Sequence, residues 1–266
     1  SEKFFGNPSS LHKIGMEAEQ LMERARQQIA EYFQVKPNEI LFTSGGTEGN
    51  NLAIKGTAFQ FRSRGKHLIT TAIEHPSSLE AFRYLESLGF EVTYLPVDER
   101  GLVSVDELKK AVRDDTILVS IIHVNNEIGT VQPVEEIGAF LKTKRKIIFH
   151  VDHVQGATKV PLNLYEANID LCTVSGHKIH GLKGTGFLFV REGLALTPLL
   201  HGGGQEKGFR SGTENVAGIV ALAKAVRLSF EKSKTMLGRL HELKHDLIQE
   251  LENIDGVVVN TPKEHS

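Results

Sequence analysis

Short apolar runs alternate with longer amphipathic stretches along the sequence, and this alternation restricts the fold more than any other feature. The runs of strand length, several of them rich in β-branched residues, are Ile40–Thr43, His67–Ile73, Glu91–Leu95, Ile117–Val124, Lys146–Val151, Ile169–Val174 and Gly186–Val190. The stretches with helical periodicity are Glu17–Phe33, Gly46–Arg64, Ser77–Leu88, Val105–Val112, Val134–Lys144, Val216–Phe230 and Leu237–Leu251. The sequence therefore predicts an α/β fold with a mostly parallel, seven-stranded central sheet flanked by helices.

A polar stretch, Glu231–Lys234, separates the last two predicted helices and indicates a domain boundary. We predict a large domain over residues 1–233 and the start of a smaller C-terminal α/β domain over residues 234–266. The second part contains one predicted helix and a strand-like run, Gly256–Val259. Because a helix and one strand cannot close a hydrophobic core, we expect this domain to be incomplete here.

Charge and composition exclude several classes of protein. The 31 basic and 33 acidic residues leave a net charge of −2, so no overall field attracts nucleic acid or a membrane. No apolar run approaches the roughly 20 residues that span a bilayer, and Ser1–Phe5 shows no signal-peptide pattern. The single cysteine, Cys172, excludes an internal disulfide and fits a reducing compartment. We expect a cytoplasmic protein without metal, nucleic-acid or membrane ligands.

Polar clusters follow several of the predicted strands, where open parallel sheets bind ligands. In Thr43–Asn51 a strand runs through a Gly-rich turn into a helix, and the free N–H groups with the Thr47 hydroxyl suit a phosphate. An ordinary capped helix start has the same residue types. In Glu74–Ser78, His75 could stack on a flat ring or transfer protons, or simply precede a helix entry. The asparagines of Asn125–Gly129 could equally form a turn.

The cluster that decides the chemistry joins two successive strands. Asp152 ends one strand, and Lys178 follows the next in Ser175–Lys178. Pyridoxal phosphate (PLP) enzymes need a lysine amine for the Schiff base and a carboxylate beside the ring nitrogen. An isolated Asp and Lys at this spacing are usually exposed charges. Together with a phosphate turn, a histidine and an asparagine on one sheet edge, they predict a PLP site.

These residues resemble the class V branch of fold-type I PLP enzymes, specifically the NifS/IscS-like cysteine desulfurases. The matching stretches are Phe5–Ser10, Thr43–Asn51, His123–Gly129, His150–Gln155, Ser175–Gly181, His201–Glu206 and Arg210–Thr213. The resemblance implies a fold-type I PLP-dependent transferase. It also implies conversion of L-cysteine to L-alanine, with the sulfur passed as an enzyme persulfide to iron–sulfur cluster or tRNA-thiolation proteins. Alternatives are another class V enzyme, such as a selenocysteine lyase or an aminotransferase, and a non-catalytic scaffold of the same fold.

The resemblance also implies roles for single residues. Lys178 would hold the cofactor, Asp152 would pair with the ring nitrogen, and His75 would stack on the ring and move protons. Asn126 and Gln155 would lie near the ring's phenolic oxygen. The implied phosphate contacts are Gly46, Thr47, Ser175 and His177. Thr213 would reach the cofactor of a neighbouring subunit, which implies a homodimer with shared active sites.

Several positions depart from the pattern of these desulfurases. Gly46 replaces a more usual alanine, His153 replaces a small residue beside Asp152, and Leu182 replaces a proline. His153 could disturb the ring packing or point away. The N-terminal strand and the loop of the catalytic cysteine are expected outside these residues. Cys172 lies in a predicted strand and is interpreted as a small buried apolar group rather than that cysteine.

Overall fold

A seven-stranded sheet forms the centre of the molecule in the computed structural model, which describes residues 6–144, 146–264 and 266. The strands are β1 (Ile40–Thr43), β2 (His67–Thr71), β3 (Glu91–Leu95), β4 (Thr116–Ile122), β5 (Ile148–Asp152), β6 (Leu171–Ser175) and β7 (Gly186–Val190). Their order across the sheet is β1-β7-β6-β5-β4-β2-β3. The pairs among β2 to β6 are parallel, and β7 is antiparallel to both neighbours. The predicted mostly parallel sheet is confirmed.

Helices cover both faces of this sheet. They are α1 (Lys13–Phe33), α2 (Gly46–Phe61), α3 (Pro76–Ser87), α4 (Val105–Ala111), α5 (Val134–Leu141) and α6 (Val216–Glu252). One apolar cluster packs α1, α4, α5 and α6 on one face, and a second packs α2 and α3 on the other. Alternate residues of β7 enter different clusters, Phe187 and Phe189 the first, Leu188 and Val190 the second. Because both faces are buried, polar side chains concentrate at the sheet edge where the parallel strands end.

The connection from β6 to β7 explains the single antiparallel strand. Ser175 and Gly186 are joined by a short 3₁₀ helix, Gly176–Ile179, and a turn. A parallel pair needs a crossover of about a dozen residues or more, usually through an α-helix. The shorter connection forces β7 to return alongside β6 in the opposite direction, and it leaves Lys178 at the sheet edge.

The predicted break between the last two helices was wrong. Helix α6 continues without interruption through Glu231–Lys234, and Arg227 forms an ion pair at 3.1 Å with Glu231 one turn later. Glu, Lys and Ser are tolerated inside helices, and neither Gly nor Pro occurs in this stretch. A polar stretch alone therefore did not end the helix. The domain boundary at residues 233 and 234 stays a prediction.

The predicted strand at Gly256–Val259 was also wrong. These residues follow α6 as irregular chain, and Val258 is 79% exposed. A strand requires a neighbouring strand to satisfy its backbone groups, and the described residues offer none there. Phe5 of the first matching stretch, and the N-terminal residues assessed for a signal peptide, lie outside the described residues. Among the described helices, none is both long and apolar enough to cross a membrane.

Candidate active site

A cavity of about 170 Å³ lies where β2, β4, β5 and β6 end, at the edge shared by the parallel strands. It brings together eight of the ten predicted site residues, namely Gly46, Thr47, His75, Asn126, Asp152, Gln155, His177 and Lys178. Their positions follow from the register, since Asp152 ends β5 and Ser175 ends the adjacent β6. The sheet therefore places at one edge residues that lie far apart in sequence.

Asp152 is the buried carboxylate of this cavity, with 2% of its surface exposed. Its Oδ1 accepts a hydrogen bond from the Val154 N–H at 3.0 Å, and its Oδ2 accepts one from Asn50 Nδ2 at 2.7 Å. Burial raises the pKa of the Asp152 carboxyl, and the two hydrogen bonds and the nearby His75 oppose that rise. A cationic partner in the cavity would favour the ionised form further.

The start of α2 has the features of a phosphate-binding turn. Gly45 adopts φ 142°, a conformation that L side chains rarely adopt, and α2 begins at Gly46. A Cβ added at Gly46 would lie 3.1 Å from Val154 Cγ2, so glycine relieves a tight contact with the loop after β5. Free N–H groups and the positive end of the α2 dipole meet at this turn.

Ser175 does not line the cavity but contacts His177, which does. Its Oγ lies 2.8 Å from His177 Nδ1 and would lie 3.5 Å from a Cβ added at Gly45. The serine, at the end of β6, therefore lies next to the turn before α2. His177, which does line the cavity, is held by this contact.

Lys178 lies between two cavities. It lines the active-site cavity and a second cavity of about 310 Å³ bordered by α6. Lys159 Nζ donates to the backbone oxygens of Gln155 at 3.2 Å and of Lys178 at 3.3 Å. This lysine therefore ties together the two loops that carry Gln155 and Lys178. Burial, followed by the charge of Lys178, lowers the pKa of the Lys159 amine.

Thr213 is the predicted site residue that the structure places elsewhere. It lines a small cleft with Ser44 and Arg210 next to the turn before α2. Arg210 Nε donates to Glu48 Oε1 at 2.8 Å, and Glu48 Oε2 accepts the Ser44 N–H at 2.8 Å. The loop of Thr213 is thus fixed to the first turn of α2 but does not enter the cavity of its own chain.

His153 points away from the active-site cavity. Its ring stacks on His123 with centroids 4.8 Å apart, and the two Nδ1 atoms are 2.8 Å apart. Burial lowers the pKa of both imidazoles, that of His123 to about 4. A Cβ on Gly156 would lie 2.6 Å from the His153 ring, so the pair requires glycine there. The departure at Leu182 is confined to an exposed loop, where its backbone oxygen accepts from Thr185.

Sequence reasoning missed three residues around the cavity. Asn50 and Ser77 line it, and Glu74 is buried just before His75. Glu74 Oε1 accepts from Thr71 Oγ1 at 2.7 Å and from the Ile122 N–H at 2.9 Å. Burial raises the pKa of Glu74 to about 8. Asn50 could have been found, because it lies three residues after Thr47 and hence on the same helix face.

The sequence of this chain matches a known protein family. The family model described as Aminotransferase class-V matches residues 1–266. The chain belongs to the aminotransferase class-V family. PLP is the cofactor of this family, as it is of the cysteine desulfurases among its members.

Relatives within the class V family agree with the resemblance seen in the sequence. The chain is 49% identical over 260 residues to a protein named cysteine desulfurase IscS of Dictyoglomus turgidum, covering 97% of this chain and 66% of that protein. A solved NifS-like protein matches with a TM-score of 0.96 and 44% identity, over 99% of this chain and 72% of that chain. A structure of SspA in complex with cysteine matches with a TM-score of 0.81 and 45% identity, over 84% and 65%. The chain spans about two thirds of the length of the curated relatives it matches.

The residues around the cavity fit the cofactor of the class V family. Asp152 accepts two hydrogen bonds but forms no ion pair with a lysine or arginine of the described chain, so a protonated pyridine nitrogen would supply the cation. Asn50 Oδ1 is a buried acceptor without a hydrogen-bond partner in the described part of the molecule. The turn before α2 can accept the phosphate, and Lys178 brings an amine to the same cavity.

Proposed function

We propose that the protein is a cysteine desulfurase that converts L-cysteine to L-alanine and transfers the sulfur to an enzyme thiol. The observation that carries this proposal is the single cavity lined by Lys178, Asp152 and His75 beside the turn at Gly46 and Thr47. The names of the relatives support the reaction, and the structure of SspA with cysteine supports the substrate.

Each residue of the cavity has a defined task in this reaction. PLP, when bound, accepts the electrons released as a substrate bond breaks. Lys178 would hold the cofactor and then remove the proton from the substrate α-carbon with its Nζ. Asp152 would keep the ring nitrogen protonated, and its burial strengthens that interaction. His75 would lie against the ring and hold or release a proton at its imidazole.

The sulfur acceptor within the enzyme cannot be Cys172. This residue is fully buried in β6, and burial followed by the charge of Asp152 raises the pKa of its thiol well above the ordinary value. Only a thiolate is an effective nucleophile, so a buried and protonated thiol does not react. Cys172 is the sole cysteine of this sequence. The proposed reaction, in which a thiol and L-cysteine give a persulfide and L-alanine, therefore requires a thiol outside these 266 residues.

The proposal includes a homodimer with shared active sites. Thr213 lies outside the cavity of its own chain on a loop that the Glu48–Arg210 ion pair holds in place, and this supports a role for Thr213 at a neighbouring subunit's site. We further propose that the persulfide supplies iron–sulfur cluster or tRNA-thiolation proteins. A cytoplasmic location is part of the proposal, because a reducing compartment suits the free thiol of Cys172.

Alanine formation from L-cysteine tests the proposed function. Together with a segment or partner that carries the acceptor thiol, the PLP-loaded protein should release alanine in the presence of a thiol reductant, and a Lys178→Ala variant should not. These 266 residues alone should be inactive in sulfur transfer, because their only thiol is buried. Cys172→Ser should leave the rate unchanged, since this thiol is buried. The loss of alanine production in Cys172→Ser, or conversion of an amino acid other than cysteine with transfer of its amino group, would contradict the proposal.

A further inference from the structure

A chain of hydrogen bonds connects His75 to Asp152 along the wall of the active-site cavity. His75 Nδ1 lies 2.7 Å from Ser77 Oγ. Asn50 Nδ2 lies 2.9 Å from the same Ser77 Oγ and 2.7 Å from Asp152 Oδ2. All four side chains line the cavity. The two groups that act on the cofactor ring in the proposed function therefore share one network.

The directions of these hydrogen bonds follow from the donors and acceptors available. An ionised Asp152 can only accept, so the amide nitrogen of Asn50 faces it and donates one hydrogen to Oδ2. The second amide hydrogen of Asn50 is donated to Ser77 Oγ. The Ser77 hydroxyl hydrogen is then free to be donated to His75 Nδ1. The network thus runs from Asn50 in two directions, to the carboxylate and to the imidazole.

His75 receives a second hydrogen bond that determines its tautomer. The Ser77 backbone N–H, which can only donate, lies 3.1 Å from His75 Nδ1, the contact that caps α3. Two donors directed at Nδ1 require this nitrogen to be without a proton. A neutral imidazole then carries its proton on Nε2.

We propose that Asn50 and Ser77 are positioning residues that hold Asp152 Oδ2 in place and fix His75 as the Nε2–H tautomer. The use of this arrangement in catalysis rests on the proposed function, in which His75 holds a transferable proton and Asp152 faces the ring nitrogen. The tautomer and the coupling between the two residues do not depend on that function. They can be measured on the chain without cofactor.

Ser78 provides a matched control on the same turn of α3. It is fully buried, whereas Ser77 keeps 8% of its surface exposed, and the Oγ of Ser78 has no hydrogen-bond partner in the described part of the chain. Ser78→Ala therefore removes a buried hydroxyl without touching the network. Ser77→Thr is the conservative variant, because it keeps the hydroxyl that Ser77→Ala removes.

The first experiment records side-chain ¹⁵N resonances of the histidines in the PLP-free protein. The signals of His75 are assigned by their loss in His75→Gln. We expect an unprotonated Nδ1 and a protonated Nε2, with Nδ1 moving downfield in Ser77→Ala and in Asn50→Leu. Ser77→Thr and Ser78→Ala should leave both signals in place. A protonated Nδ1 in the wild type, or unchanged His75 signals in both network variants, would overturn the proposal.

The second experiment measures PLP binding by absorbance in a double-mutant cycle. Asn50→Leu and Ser77→Ala should each weaken binding, Asn50→Leu by about tenfold because it removes a hydrogen bond to a carboxylate. Combining them should cost no more than the larger single effect, since both interrupt one network. Fully multiplicative losses, or an equal loss in Ser78→Ala, would refute the coupling.

The two experiments separate this inference from the proposed function. The His75 resonances report the network even if the loaded protein forms no alanine. Conversely, alanine formation from L-cysteine together with a protonated His75 Nδ1 would support the proposed function and exclude this role for Asn50 and Ser77. Thermal melting of each variant identifies any that fails to fold. In that case the wild-type tautomer, together with Ser77→Thr, still decides the question.

Discussion

Replacing Glu74 with glutamine should change how the stability of the protein depends on pH. Burial raises the pKa of this carboxyl to about 8 from an ordinary value of 4.5, so the folded chain holds a proton that the unfolded chain has already released. A carboxyl with a raised pKa contributes stability at low pH that is lost as the pH rises through the folded value. Each pKa unit corresponds to about 1.4 kcal/mol. A pH of about 6 lies two units below the folded pKa. Raising the pH from about 6 to about 9 should therefore reduce the contribution of Glu74 to the free energy of unfolding by roughly 2.7 kcal/mol.

Glu74→Gln removes this dependence while keeping the shape of the side chain. The amide oxygen can still accept from Thr71 Oγ1 and the Ile122 N–H, as Oε1 does in the wild type. The other amide atom takes the place of Oε2, which is buried without a partner in the described chain. We therefore expect a stability change across this pH range that is smaller in the variant by roughly 2.7 kcal/mol.

Chemical denaturation of the PLP-free protein at about pH 6 and pH 9 measures this difference. Other titrating groups are common to both proteins and cancel in the comparison. Glu99→Gln is the control, because Glu99 is exposed and its replacement removes the same charge at the surface. The reasoning fails if Glu74→Gln and the wild type lose equal stability over this range, or if Glu99→Gln reproduces the effect.

Three further predictions concern the cavity and the buried histidines. Borohydride reduction of the PLP-loaded protein and peptide mapping should place the pyridoxyl group on Lys178; a label on another lysine would exclude the assignment. Asp152→Asn should slow exchange of the substrate α-proton by about two orders of magnitude or more with little change in melting temperature, and exchange at the wild-type rate would remove Asp152 from its role. Burial lowers the pKa of His123 to about 4 from 6.5, so the unfolded chain binds the proton first as the pH falls. Acidification from pH 7 to pH 5 should lower the free energy of unfolding by about 2 kcal/mol through this residue. Chemical denaturation at both pH values should show a smaller loss in His123→Asn.

The sheet could be predicted from the sequence because its strands are short and apolar, and polar turns end them. Strands β1, β3 and β7 begin and end where the pattern indicated. Prediction failed for α6, where the polar stretch Glu231–Lys234 was interpreted as a break between two helices although each of its residues is compatible with a helix. It failed again at Gly256–Val259, because strand-like composition cannot supply a neighbouring strand.

The sequence was sufficient to predict which residues form the candidate site, but not the hydrogen bonds and stacking contacts between their side chains. Lys178 and Asp152 follow strands, and the parallel topology brings strand ends together. The hydrogen bonds of Asn50 and Ser77 depend on how α2 and α3 pack, which no local pattern encodes. The orientation of His153 is set by its stacking on His123, thirty residues away in sequence. Buried polar contacts between distant segments were therefore the part that required the structure.

Helix α6 is the longest described element, and it is unbroken. Its C-terminal end therefore cannot rotate about the helix axis independently of its N-terminal end. Its 37 residues correspond to a rod of roughly 55 Å, at about 1.5 Å per residue. The first half packs into the core, the middle borders the cavity beside Lys178, and Leu243 and Leu247 near the far end are exposed. Inserting one residue near Ser233 would rotate everything beyond it by about 100°, whereas seven residues would nearly restore the original facing. Any structure that packs on the C-terminal end of α6 therefore has a fixed rotation about the helix axis relative to Lys178.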